Sequence, residues 1–260
     1  MTDFETVNVE LDGPVAVVTM NRPEVLNAFN RQMLKELLVA VQEVNDNEGI
    51  RVVILTGEGR SFSAGADLSE DVEEGFSVED ALNTTYKPVL MAITEAPKPW
   101  ISAVNGAAAG VGSSFAMNCD LTVMAEDAYL YQAFAAIGLI PDGGATWHLA
   151  RTIGRKRTYE LIATGEKLRA ARCLELGLCN RVVPADQLLT ETRAWAQELA
   201  AKAPLSLRYA KQALNTAMEA NVSDTFGREA QLQHLCITSE DAKEGMRAFM
   251  QKRVPEFKGR

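Results

Sequence analysis

Val7 to Leu11 alternates apolar and polar side chains, Asp12-Gly13 follows, and Val15 to Met20 resumes an apolar run, which predicts a β-hairpin. From Asn30 the period changes. Met33, Leu34, Leu37, Leu38, Val41 and Val44 recur on one face, predicting a helix over about 30–45 with Asn30 as its N-cap. Val52 to Thr56 is a continuous β-branched run of the kind that fills a buried strand. A polar, acidic stretch from Asp71 to Asp80 reads as a mobile loop. A helix over about 78–94 follows and stops at Pro97 and Pro99.

The pattern then repeats. Ile101 to Val104 reads as a strand, a glycine turn follows, and a helix runs to Met117. Further strands are expected at Leu121 to Ala125 and Tyr129 to Gln132. Strands interleaved with helices at glycine turns indicate an α/β fold. From about Leu188 the pattern is helical throughout. Pro204 divides two helices, and a last one starts near Ser239, where Ser239-Glu240-Asp241 supplies a cap and acids that complement the helix dipole.

Composition narrows the classes. The 260 residues are 47% hydrophobic and 23% charged, ordinary for a globular protein. A net charge of −9 argues against non-specific nucleic-acid binding. Basic side chains gather at Arg151, Arg155, Lys156 and Arg157, and at Lys252 and Arg253. The four cysteines form no Cys-x-x-Cys pair, and neither His148 nor His234 stands at metal-ligand spacing from one, so no metal site is expected. No apolar run reaches membrane-span length, and Met1 to Glu5 lacks a signal core. Lys258-Gly259-Arg260 is not the peroxisomal tripeptide. A cytoplasmic location without membrane or nucleic-acid partners is the expectation.

Three short segments carry the chemistry. Ser61-Phe62-Ser63-Ala64-Gly65-Ala66-Asp67-Leu68 and Asn105-Gly106-Ala107-Ala108-Ala109-Gly110-Val111-Gly112 each join a strand to a helical stretch. Glycine lets backbone approach a ligand, and amides at a helix start favour negative charge. Two such turns facing each other can grip one oxygen, as an oxyanion hole does. Either turn alone is equally an ordinary connection. The third segment, Ile137-Gly138-Leu139-Ile140-Pro141-Asp142-Gly143-Gly144-Ala145-Thr146, puts one acid in a Pro/Gly turn before a helix, where it suits either catalysis or capping.

Other motifs fail. Gly110-Val111-Gly112 lacks the third glycine of a dinucleotide fingerprint, because Phe115 is there. No P-loop lysine follows, and Ser63 and Ser113 lack the flanking glycines of a nucleophile elbow. His148, between Trp147 and Leu149, reads as structural.

Together the three segments resemble the crotonase (enoyl-CoA hydratase/isomerase) superfamily. The resemblance runs from Asn21-Arg22-Pro23-Glu24-Val25-Leu26-Asn27-Ala28, through Asn118-Cys119-Asp120-Leu121, Ala170 to Gly177 and Asn180-Arg181-Val182-Val183-Pro184, to the stretch Phe249 to Phe257. It implies a crotonase-type spiral of ββα units over residues 1–195 and a C-terminal helical trimerisation region over 196–260. It also implies a homotrimer or a dimer of trimers, and an acyl-coenzyme A thioester as substrate, with no cofactor beyond that coenzyme A.

Carried over by motif, the oxyanion donors are the amides of Ala66 and Val111. Leu26, Ala28 and Ala64 lie near the adenine, and Lys252 of a neighbouring subunit near the phosphates. Asp67, Leu68, Gly110, Ser114 and Phe134 complete the expected substrate contacts. Val111 replaces the usual middle glycine, so its side chain either narrows the pocket or turns into the core.

The departure from the family lies in the acids. Its hydratases hold water between two glutamates, at positions occupied here by Ser114 and Phe134. The remaining acid is Asp142, which matches an aspartate of the branch containing epoxyphenylacetyl-CoA and Δ3,Δ2-enoyl-CoA isomerases. One carboxylate can move a proton between two carbons without water, and apolar neighbours such as Ile140 and Phe134 would raise its pKa. Dehalogenases of the family use a nucleophile at this position and a histidine where Lys87 stands, so dehalogenation is disfavoured. The expectation is an enoyl-CoA isomerase using Asp142. The alternatives are a 2-enoyl-CoA hydratase with a non-standard acid set, and a non-catalytic acyl-CoA binder.

Overall fold

A computed structural model of the chain describes residues 2–70 and 77–260. The predicted hairpin forms as β1 (Val7–Asp12) and β2 (Val15–Met20), antiparallel with Val7 opposite Met20. α1 (Arg31–Asp46) begins at Asn30, whose side chain accepts from the Met33 amide at 2.9 Å, as its residue type predicts. Its apolar face is buried against the sheet, and Leu38 packs at the margin.

The centre of the molecule repeats one unit. β3 (Val52–Gly57) leads to β4 (Ser61–Ser63), then to α2 (Val78–Ala81), a π turn at Leu82–Tyr86, and α3 (Lys87–Thr94). β5 (Trp100–Val104) leads to β6 (Ala107–Ala109) and α4 (Val111–Asn118). β7 (Leu121–Ala125) leads to β8 (Tyr129–Tyr131), a 3-10 turn at Ala133–Ile137, and α5 (Ala145–Ile153). α6 (Arg155–Thr164), β9 (Lys167–Arg169), α7 (Ala170–Glu175) and β10 (Arg181–Val183) complete the body.

The first strand of each unit joins a six-stranded sheet, β1-β2-β3-β5-β7-β10. The second joins a four-stranded sheet, β4-β6-β8-β9. Corresponding strands of successive units pair in parallel. Successive units therefore step sideways in register, which is the expected ββα spiral. β3 and β5 are buried at every position, Thr56 and Ser102 included, matching their predominantly apolar sequences.

The helix expected over about 78–94 is interrupted by the π turn, which shifts the facing of every later residue. The expected acidic loop divides. Residues 71–76 lie outside the described residues, whereas Ser77 and Asp80 form a capping box on α2.

α8 (Leu188–Ala200) lies on the six-stranded sheet through Thr192, Ala196 and Ala200, so residue 195 falls inside a helix that belongs to the body. α9 (Pro204–Ala217), α10 (Val222–Ile237) and α11 (Glu240–Gln251) follow. Lys211 of α9 reaches Asp120 at 2.8 Å and the Ile93 carbonyl at 2.8 Å. The tail folds back: Asp241 accepts from the Lys258 and Gly259 amides, and Arg51 donates to the carbonyls of Ala200 and Phe257. Among the described residues no helix is long and apolar enough to cross a membrane.

Candidate active site

Bonding across two segments presents the first glycine turn. Leu26 and Asn27 take positive φ (55° and 56°), costly for residues with a side chain, and the strain is held by a dense set of bonds. The buried Asn27 side chain accepts from the Arg22 amide and donates to the carbonyls of Glu58 and Ser61. The Ala64 amide donates to Leu26 and the Phe29 amide to Gly65, while the Asp67 amide donates back to Phe29. Leu26, Ala28, Ala64, Ala66 and Asp67 are thereby brought together. The parallel bridge pairs Phe29 with Ala66 but uses the Gly65 carbonyl and the Asp67 amide. The Ala66 amide points away from it and has no protein acceptor among the described residues.

The second turn lies against the first. A Cβ on Gly65 would sit 2.9 Å from the Ala109 carbonyl oxygen and 3.6 Å from Gly110 Cα, an approach only glycine permits. Val111 is the first helical residue of α4, where amides lack an intrahelical acceptor. Gln132, itself buried, donates to Ser113 Oγ, which donates to the Gly110 carbonyl, fixing this turn from beneath. The Val111 side chain is buried. Its Cγ2 lies 2.9 Å from where a Cβ on Gly143 would stand, so it packs beneath the third segment.

The third segment is pinned to α4. Ser114 Oγ donates to the Asp142 carbonyl at 2.8 Å, and Asn118 Nδ2 donates to the carbonyls of Gly143 at 3.0 Å and Ser114 at 2.7 Å. Asp142 does not cap α5. The N-cap position is Gly144, and no side chain bonds there. The carboxyl Oδ1 of Asp142 is instead buried without a hydrogen-bond partner among the described residues. Burial raises the Asp142 pKa to about 6, opposed only by its own amide. A carboxyl with that pKa takes and gives protons near neutral pH.

The source of that burial differs from expectation. Ile140 is 81% exposed and shields nothing in this chain. The cavity around Asp142 is walled by Leu82, Tyr86, Leu90 and Met91 from the π turn and α3, with Lys87 at its edge. Phe134 is buried at the other turn, its Cζ 3.8 Å from a Cβ placed on Gly110. Tyr86 escaped sequence reasoning, because only the π turn aims it here. Its ring meets Phe29 edge-on at 6.3 Å. Burial first, then the carboxylates of Asp142, Glu70 and Asp67, push its phenol up, so it stays protonated.

The other acids near the site are engaged. Asp67 accepts from Arg22 Nη1 at 2.9 Å and from Ser69, and the Ser69 hydroxyl above all holds its pKa down. Glu70 accepts from the Arg31 amide at the start of α1. Leu68 is exposed. Lys252 is exposed in the left-handed cap of α11, on the C-terminal tail. His148 is pushed down to about 4 by burial and the Arg151 charge, and stays neutral.

Two abutting backbone turns, each presenting an unshared amide, lie beside one half-buried carboxyl of raised pKa, an arrangement that can hold an anionic oxygen next to a group able to take a proton. The chain belongs to the enoyl-CoA hydratase/isomerase family, whose model matches residues 10–260. It is 38% identical over 254 residues to a probable enoyl-CoA hydratase of Mycobacterium tuberculosis, covering 98% of each chain. It is also 38% identical over 265 residues to the 1,2-epoxyphenylacetyl-CoA isomerase of Escherichia coli, covering 100% of each. Among solved structures, it matches an enoyl-CoA hydratase subunit of Geobacillus kaustophilus with a TM-score of 0.92 at 36% identity, covering 100% of both chains.

Proposed function

We propose that the protein is an enoyl-CoA isomerase. The thioester carbonyl of the substrate accepts from the amides of Ala66 and Val111, and Asp142 moves the proton. Asp142 Oδ removes a proton from carbon, the electron pair passes into the thioester as an enolate, and the same carboxyl returns the proton at another carbon. The reaction is redox-neutral and needs neither water nor a cofactor beyond the substrate's coenzyme A.

The observation that carries this reading is the half-buried Asp142 carboxyl, with Oδ1 buried and unpartnered among the described residues and a pKa near 6, while Ser114 and Phe134 stand where hydratases of the family carry glutamates. The match to the Escherichia coli isomerase over the whole chain supports it. The matches to proteins named enoyl-CoA hydratase favour a second reading, hydration of a 2-enoyl-CoA with Asp142 alone activating water. Turnover of a 3-enoyl-CoA against a 2-enoyl-CoA, followed at the conjugated thioester, separates the two. The isomerase reading requires the first substrate to be converted. Binding of both without turnover would mark a non-catalytic acyl-CoA protein.

The substrate assignment extends to the coenzyme. Its adenine would lie along Leu26, Ala28 and Ala64, with Lys252 of a neighbouring subunit near its phosphates. A homotrimer, or a dimer of trimers, accounts for the apolar tail, where Phe249, Met250 and Val254 are 86%, 83% and 84% exposed in a single chain.

A further inference from the structure

Asn118 stands between two cavities. The first, of about 230 Å³, holds Asp142 against Leu82, Tyr86 and Leu90. The second, of about 460 Å³, lies behind it between α9 and the body and is walled by Met117, Leu178, Leu199, Leu207, Leu214 and His148. Asn118 lines both. Beside it Gly144 faces the first cavity and His148 the second. A Cβ on Gly144 would lie 3.6 Å from Asn118 Nδ2 and 3.5 Å from His148 Cδ2. The partition is therefore one layer thick.

The Asn118 side chain is not free to swing aside. Nδ2 donates to the Ser114 and Gly143 carbonyls, and Oδ1 accepts from Thr94 Oγ1 at 3.0 Å. Displacing it breaks three bonds and leaves buried polar groups unmet. The first cavity is smaller than the roughly 300–1,000 Å³ of a typical small-molecule pocket. The space behind the partition presents leucine and methionine side chains that suit an alkyl chain, beside polar groups that include Asp120, Lys211 and Asn180.

We propose that Asn118 closes the floor of the acyl cavity and restricts the protein to short acyl thioesters. The inference rests on the acyl-CoA reading above. A short acyl group fills the space beside Asp142, whereas a longer one meets a fixed amide before it reaches the larger space beyond.

The test is binding, which needs no turnover. Calorimetry with S-butyl-CoA and S-decyl-CoA compares short and long chains on the unaltered protein. A chain that entered freely would tighten by about four-fold per buried methylene. We expect S-decyl-CoA to bind within about ten-fold of S-butyl-CoA, and Asn118→Ala to raise the long-to-short ratio at least ten-fold. Asn118→Leu keeps the bulk without the hydrogen bonds and should retain the native ratio. More than hundred-fold preference for S-decyl-CoA in the unaltered protein would overturn the proposal, as would an unchanged ratio in Asn118→Ala or an opened one in Asn118→Leu. The measurement on the unaltered protein decides even where a variant fails to fold. Failure of both thioethers to bind would strike the acyl-CoA reading itself, whereas binding with the wrong ratio strikes only the role of Asn118.

Discussion

Ser114 Oγ donates to the main-chain carbonyl of Asp142 at 2.8 Å, so the residue that replaces one expected glutamate anchors the acid that remains. The two features are linked sterically as well. A Cβ on Gly143 would lie 2.8 Å from Ser114 Cβ, so the two segments meet only with glycine there, and Ser114 is itself fully buried. Ser114→Ala should cost about 0.5–1.5 kcal/mol, because the Asp142 carbonyl loses one of its two donors and keeps the Ala145 amide. It should lower turnover more than it weakens coenzyme A binding. Ser114→Glu should fail to create a hydratase and should melt earlier, which thermal unfolding and a 2-enoyl-CoA assay together report. A stable Ser114→Glu protein with hydratase activity would contradict this packing.

Asp142→Asn should fold, bind acyl-CoA and lose about 10²-fold or more in turnover, the usual scale of acid–base catalysis. In the unaltered protein kcat/KM should rise with pH through about 6, as the carboxyl ionises to the form that accepts a proton. Stability should move the opposite way. A carboxyl whose folded pKa lies above its model value of 3.8 is disfavoured in its charged form by folding, so its penalty is absent below about 4 and complete above about 6. Asp142→Asn should thus gain stability relative to the native protein across that window. Denaturation at both ends of the window checks the sign, and a flat difference would place the acid elsewhere.

Ala66→Pro removes the amide outright but spares the bridge to Phe29, which uses Gly65 and Asp67. The loss of one oxyanion donor should cost about 10²–10³-fold in kcat. A folded variant with native turnover would mean the oxygen is held by other donors, and circular dichroism establishes the folding.

Gly143→Ala should be damaging through packing alone. Its φ is +58°, and the added methyl would meet Val111 Cγ2 at 2.9 Å and Ser114 Cβ at 2.8 Å. Overpacking of this kind costs about 1–3 kcal/mol. Denaturant unfolding should show the loss, and turnover should fall with it as the Asp142 turn lifts.

Light scattering should give the mass of a trimer or of two trimers at micromolar concentration, and Phe249→Asp should shift it downward by placing charge in an apolar contact. A native protein that scatters as a stable monomer would remove both the interface and the shared role of Lys252.

Much of the fold was legible along the chain because its causes are local. The hairpin at Asp12-Gly13, the α1 face from Met33 to Val44, and the caps at Asn30 and Ser239 each follow from residues a few positions apart. The two glycine turns and the absence of glutamates at Ser114 and Phe134 were equally plain, since they are matters of residue identity.

What only the tertiary structure decided concerns environment. Asp142 in its turn suits a cap as well as a base, and the choice depends on segments distant in sequence. Leu82, Tyr86 and Leu90 bury the carboxyl, whereas the adjacent Ile140 turns outward. The same holds for Glu70, tied to the start of α1, and for Val111, whose side chain faces Gly143. Tyr86 reaches the site because one π turn shifts its facing, a change that helical periodicity does not signal. Secondary structure follows from short-range bonding and period. The charge state of a carboxyl follows from which remote groups exclude water from it, and that is fixed only when the chain has closed on itself.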